Sequence, residues 1–148
     1  PGNGSGSGDN GSNNNGNNPD DNDDNNDDTP VSNNLKITIG PVSFNATLDN
    51  NETAKAFKRL LPMTVDMSEL HGNEKYYYLS KGLPTASSNP GTIRTGDLML
   101  YGSTCVVLFY ETFSTSYTYT RLGRITNPSG LASALGSGGV NVTFEITD

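Results

Sequence analysis

The sequence has no tryptophan, one cysteine and one histidine, and each shortage closes off a class of chemistry. A lone thiol, Cys105, forms no internal disulfide. In the apolar run TCVVLFY (104–110) it reads as a small buried hydrophobe, without the basic neighbour that would activate it. One histidine and one cysteine cannot assemble a zinc site within a single chain, so no metal is expected. His71 stands in the turn sequence ELHGN and reads as a surface residue; the closest imitation of a strained nucleophile turn is GST at 102–104, a predicted hairpin turn. The GSGSG near the amino terminus has no strand before it and no lysine after it, which excludes a phosphate loop, and no cofactor is expected. No apolar run approaches the roughly 18 residues that a membrane helix needs.

Charge is scarce too, and unevenly placed. The formal charge of −7 equals the seven aspartates of residues 1–34, whereas residues 35–148 hold nine acids against nine bases. A neutral folded part argues against nucleic acid as a partner, since phosphate binding needs a clustered basic surplus. Lys55, Lys58 and Arg59 do cluster, and read as the solvated face of a short helix. Residues 1–34 contain a single large aliphatic residue, Val31. They cannot bury enough apolar surface to offset the entropy of ordering, and are expected to form a disordered Gly/Asn/Asp-rich tether. Their run DDNDDNNDD lacks the internal Gly and distal Glu of an EF-hand loop, and is expected to attract cations only weakly. Sequons at Asn10, Asn45, Asn51 and Asn141 are common coincidences in so Asn- and Thr-rich a chain.

From residue 35 the pattern changes to alternation. LKITI (35–39) and VSFNATL (42–48) flank a Gly-Pro pair and read as a hairpin. Asn51 is placed to cap the helix ETAKAFKRLL, which Pro62 stops. MTVDM (63–67) and KYYYL (75–79) flank the turn HGN; LMLY (98–101) and TCVVLFY flank a Gly-Ser turn. Asn127 and Pro128 open an expected second helix, PSGLASAL, closed by Gly136, before a last strand, VNVTFEI (140–146). About eight strands and two short helices linked by tight turns predict a mainly β chain: a closed antiparallel barrel with helices capping its ends.

The unusual content is phenolic: five of the seven tyrosines lie in YYY (76–78) and SYTYT (116–120). A phenol joins a broad contact face to a hydrogen-bonding tip, which suits recognition of extended peptides or sugars. The same residues are good formers of half-buried strands.

Taken in order, these segments resemble a known family. ETAKAFKRL is similar to the first helix of cyclophilins, RLGRIT (121–126) to their Phe-Gly-Lys-Val strand, and PSGLASALGSG and NVTFEI follow in the same order. HGNEKYYYLS and GDLMLYGS resemble segments of small bacterial cyclophilin-like proteins, so the likeness covers residues 35–148 as one domain. The resemblance implies a barrel with a peptide pocket. In cyclophilins an arginine on the strand corresponding to YYYLS polarises the prolyl nitrogen; this chain has Tyr76, Tyr77, Tyr78 and Leu79 there. The segment after it is shortened, removing the Phe-Met-x-Gln part of the pocket, while Leu100 falls near a pocket phenylalanine and Tyr119 near a pocket histidine.

The sequence therefore leads us to expect a binding module for a peptide segment or small ligand, without efficient catalysis. The candidate ligand-binding residues are Tyr77, Tyr78, Leu100, Phe113, Tyr117, Tyr119 and Arg121, with Arg94 also available to an anion. A prolyl isomerase with a rearranged site and an accessory domain with a vestigial groove are the rival readings. The amino-terminal tail resembles the spacer that follows the lipidated cysteine of bacterial surface lipoproteins. That implies an extracytoplasmic, monomeric module meeting the membrane only through an upstream lipid anchor.

Overall fold

The computed structural model describes residues 30–148; the expected tether with its acidic run and the Asn10 sequon lies outside them through residue 29. The alternating segments form strands β1 (Asn34–Ile39) and β2 (Val42–Leu48), then helix α1 (Glu52–Lys58), β3 (Met63–Leu70) and β4 (Glu74–Tyr78). There follow β5 (Thr92–Ile93), β6 (Asp97–Tyr101), β7 (Cys105–Phe109), β8 (Phe113–Ser114), β9 (Thr120–Ile125), helix α2 (Leu131–Leu135) and β10 (Val140–Thr147). Eight strands close an antiparallel barrel in the order β1-β10-β3-β4-β7-β6-β9-β2, and β5 pairs with β8 in a separate two-stranded sheet. The expected architecture, a closed antiparallel barrel with two short helices, is the observed one.

Period-two alternation sends one side of each strand into the barrel. Leu35, Ile37, Phe44, Ala46, Val65, Met67, Leu98, Leu100, Val106, Leu108, Leu122, Val142 and Phe144 meet there, joined by Ala54 and Phe57 of α1 and Leu131 and Leu135 of α2. Phe57 stands edge-on to Phe144 with ring centroids 5.8 Å apart. The Asn51 side chain accepts from the Ala54 N–H at 2.7 Å, the expected N-cap, and its amide donates to the Arg121 carbonyl at 2.9 Å, tying the helix to β9. Gly123 is required where β9 crosses β2, because a Cβ there would collide with the Thr47 carbonyl.

Two local expectations are corrected. Helix α2 begins at Leu131, not Pro128: the Asn127 carboxamide accepts from the Ser129 N–H and Leu131 N–H bonds Pro128 O, so Asn127 closes a turn and Gly130, at φ 83°, precedes the helix. Lys58 does not lie on a solvated face. It is buried, and its ammonium donates to Pro30 O at 3.0 Å and Asn33 Oδ1 at 2.7 Å, pinning the incoming chain to α1. Burial, with Lys55 nearby, lowers the Lys58 pKa.

A second buried lysine has no sequence signal. Lys75 on β4 points into the barrel, and its fully buried ammonium donates to Glu69 Oε1 at 2.9 Å, Gly136 O at 2.8 Å and Gly138 O at 2.5 Å. Tyr110 donates to the same Glu69 oxygen at 2.8 Å, and its ring centroid lies 5.4 Å from the Lys75 nitrogen. The Gly72 N–H donates to the other oxygen at 2.6 Å. Burial alone would raise the Glu69 pKa, but these donors hold it below the usual carboxylate range. The network ties the β3–β4 turn to the segment that follows α2.

Candidate functional site

Strands β6 and β7 are apolar on both sides, so the sheet has a second cluster on the outside of the barrel. Met99, Cys105, Val107, Phe109, Ile93 and Tyr119 are buried there, with Tyr76 and Phe113 packed against them. The cover is the chain from residue 88 to 96, regular only at β5; the segment leading to it packs Leu83 against the barrel-interior cluster. It is held by Thr53 Oγ1 donating to Pro84 O at 2.6 Å, by Ala86 N–H donating to Thr120 Oγ1 at 3.0 Å, and by a reciprocal backbone bridge between Ser88 and Tyr119 at 3.0 Å. Thr53 therefore serves the site as well as the helix, a role its sequence context does not reveal.

On this face the aromatic side chains form a connected surface. Ring centroids lie 5.7 Å apart for Phe109 and Phe113, 5.5 Å for Phe109 and Tyr119, 5.6 Å for Tyr119 and Tyr101, and 6.1 Å for Tyr101 and Tyr117. Tyr78 pairs in register with Cys105, and Cys105 with Tyr101, so Tyr78 continues the row one strand further, edge-on to Tyr76 at 5.7 Å. Tyr78, Tyr101 and Tyr117 are 65%, 48% and 63% exposed, whereas Tyr119 is 5% exposed. Three phenols thus face solvent, Tyr78 and Tyr101 from barrel strands and Tyr117 from the loop before β9, beside a fourth that is part of the packing.

Of the residues singled out by sequence, the structure brings Tyr78, Phe113, Tyr117, Tyr119 and Arg121 to this outer face. Tyr77 and Leu100 lie on the other side of their strands. Tyr77 alternates with Lys75 and packs against the barrel interior, and Leu100 is wholly buried there, back to back with Met99. The place expected for Leu100 is filled by its neighbours Met99 and Tyr101, which sequence reasoning passed over. Every residue of DLML is buried, so no polar alternation marked which side faced out.

At the β9 edge the face becomes charged. A cleft of about 390 Å³ is lined by Ser88, Pro90, Thr92, Arg94, Asp97, Met99, Tyr119, Arg121 and Arg124. Arg121 Nε donates to Asp49 Oδ2 at 3.2 Å, and its terminal nitrogen lies 3.7 Å from Asp97 Oδ1. Asp97, 2% exposed, accepts the Arg94 N–H at 2.9 Å through its second oxygen.

Burial disfavours ionisation at three groups of this face, Cys105, Tyr119 and Glu74. Burial, with Glu74 nearby, pushes the Cys105 thiol up to about 11 against a pull downward from the Tyr78 side chain. Burial likewise raises Tyr119 and Glu74. Cys105 is therefore a packed thiol and not a nucleophile at neutral pH. His71 is exposed in the β3–β4 turn at φ 57°.

Comparison with known proteins adds a family and a fold. The model of the Cyclophilin-like family matches residues 37–145. The solution structure of a hypothetical protein from Archaeoglobus fulgidus, 21% identical, superposes with a TM-score of 0.59 over 79% of this chain and 96% of that one, a likeness of fold alone. No curated protein matches the sequence.

Proposed function

The chain belongs to the Cyclophilin-like family, and on that premise we propose that it is a binding module. It holds an extended peptide segment or small ligand on the outer face of β4, β7, β6 and β9, and does not catalyse prolyl isomerisation efficiently. The observation that carries this reading is the row of exposed phenols, Tyr78, Tyr101 and Tyr117, set on the buried Tyr119. Tyr78 and Tyr101 stand on hydrogen-bonded barrel strands, so those two rings are offered at little cost in ordering. A peptide lying across the strands would pass from Tyr78 to Tyr101 over two strand spacings, about 10 Å, and then meet Tyr117, whose ring centroid is 6.1 Å from that of Tyr101.

The case against efficient catalysis is electrostatic. Prolyl rotation must overcome a barrier of about 20 kcal/mol, which cyclophilins lower with a cation held at the nitrogen. Here the outward positions of β4, the strand that bears the cation in cyclophilins, carry Glu74, Tyr76 and Tyr78; Arg121 on β9 is engaged by Asp49 and Asp97, and Arg94 and Arg124 stand at the β9 edge, with β7 and β6 between that edge and β4. A neutral phenol donates a hydrogen bond but brings no full charge.

The proposal also places the module outside the cytoplasm, on a lipid-anchored tether and as a monomer, and what supports this is the composition of residues 1–34. A lipobox cysteine upstream in the precursor is the expected finding, and size-exclusion with light scattering should return one chain per particle.

The test of the ligand face is amide shift perturbation with a peptide library. Movement confined to residues 76–78, 101 and 113–121 is expected, and if no peptide moves them the site is wrong. NMR exchange on a proline peptide should show no acceleration by the protein. An acceleration abolished by Tyr78→Ala or Arg121→Ala would establish the isomerase reading instead.

A further inference from the structure

We infer that the cleft at the β9 edge is a carboxylate subsite, taking a ligand whose anionic end lies between Arg94 and Arg124 and whose apolar body rests on Pro90 beside the exposed edge of Tyr119. The inference deepens the binding role proposed above, and rests on it for the direction in which a peptide would leave the cleft.

The first support is a β-bulge. Residues 121 and 124 are three apart, an odd spacing that puts two side chains on opposite faces of a regular strand. In β9 the register shifts by one: Met99 pairs with Arg121, Leu98 with Gly123 and Asp97 with Arg124, so Leu122 is the extra residue. Leu122 turns into the barrel, and Arg121 and Arg124 both reach the outer cleft. Bulges re-aim side chains in this way and are frequent beside binding sites.

The second support is the fixed position of Arg94. Its carbonyl accepts the Asp97 N–H at 2.9 Å and its own N–H is held by Asp97, closing a tight turn. Gly96 makes that turn possible at φ 95°, with a Cβ there meeting Ile125 and Pro128 at 3.2 Å.

The third is charge. Three guanidinium groups line the cleft against one carboxylate, Asp97, while residues 35–148 as a whole are neutral. Arg121 is compensated by Asp49 and Asp97. The guanidinium groups of Arg94 and Arg124 have no hydrogen-bonding or ionic partner among the described residues. A planar carboxylate matches two such forks, and the charge-assisted bonds are about twice as strong as neutral ones. Asp97 repels an anion from the Arg121 side and so fixes the polarity of the ligand. The shared chemistry is a carboxylate on an apolar body; a free acid and a peptide carboxyl terminus both present it.

The experiment uses benzoate and benzamide, equal in shape and different in charge, titrated against the full chain while the arginine Nε–H and backbone amide resonances are followed. Benzoate is expected to move Arg94, Arg124, Asp97 and Tyr119, with benzamide at least tenfold weaker and the preference shrinking as salt is raised. Arg94→Gln/Arg124→Gln, at two exposed positions, should abolish the preference, and Lys81→Gln, an exposed lysine outside the cleft, should leave it intact. Equal titration by the two probes, or binding that leaves both arginines unmoved, overturns the subsite. A peptide with a free carboxyl terminus and its amide separate the two sources and the two readings. If both bind the phenol row equally, the row stands and the subsite fails. If benzoate discriminates but no peptide reaches Tyr78, Tyr101 or Tyr117, the subsite stands and the peptide reading fails.

Discussion

Replacing Lys75 with methionine removes a charge that the barrel interior solvates with its own groups. The ammonium is fully buried and gives three hydrogen bonds, to Glu69, Gly136 O and Gly138 O, at 2.9, 2.8 and 2.5 Å. Breaking a buried pair by deleting one partner costs about 3–5 kcal/mol, because the other partner is left uncompensated. Glu69 keeps Tyr110 and the Gly72 N–H as donors and is 23% exposed, so its penalty is reduced. The two carbonyls belong to exposed glycines that water can reach. The low end of the range, about 3 kcal/mol, is therefore expected for Lys75→Met. For a domain of this size, at about 4 °C per kcal/mol, that is a fall in Tm of about 12 °C. Thermal unfolding by circular dichroism measures it. A double-mutant cycle with Glu69→Leu should give a coupling above about 1 kcal/mol, with the double variant recovering part of the loss. A single variant as stable as the parent, or losses that simply add, would refute the claim that the pair acts as a unit.

Other outcomes follow from the same geometry. Gly123→Ala forces a Cβ into the Thr47 carbonyl, and should cost about 3 kcal/mol in urea unfolding, the upper end for overpacking against a fixed backbone. Cys105, with its thiol near 11, should carry about one part in a thousand of thiolate at pH 8 and react with a disulfide reagent far more slowly in the native than in the unfolded protein. Tyr110 is pushed by burial and by the Glu69 carboxylate up to about 12 from 10. Its folded pKa is raised, so the stability it confers is whole below pH 10 and lost as pH climbs toward 12; Tyr110→Phe should flatten that limb of the stability–pH curve. Glu69 works in the opposite sense: its folded pKa is lowered, so its contribution is present above the unfolded carboxylate pKa and disappears as pH falls through the folded value.

The strands with one polar side were readable. In β1 the polar Lys36 and Thr38 separate Leu35, Ile37 and Ile39, and the same alternation marks β2 and β10, so the inward set is named by the residues themselves. The Asn51 cap and the turns at Gly40 and His71–Gly72 were equally legible, since each uses a residue type suited to a local geometry. About eight alternating strands joined by tight turns pointed to the barrel, and the family resemblance agreed. For β6 and β7 alternation gives no answer, because DLML and CVVLF are buried throughout. Leu100 therefore looked like a pocket residue and proved to be a core residue. Lys58 misled for a different reason: it sits in a polar-looking pattern, and for it, as for Lys75, which carried no signal, only the chain folded over the ammonium supplies the oxygens that make burial tolerable.

The sequence alone determined that a neutral, alternating, tyrosine-rich domain follows an acidic tail, and that its strands close a barrel. Those properties depend on composition and short-range periodicity. Tertiary structure alone decided the rest of the site. A one-residue bulge in β9 brings Arg124 round beside Arg121, the register of β4, β7 and β6 sets Tyr78 in line with Tyr101, and the crossing of residues 88–97 forms the wall of the cleft. Side-chain direction in a strand reverses with a single residue, so which rings and charges share a face is fixed by pairing across the sheet and by nothing shorter in range.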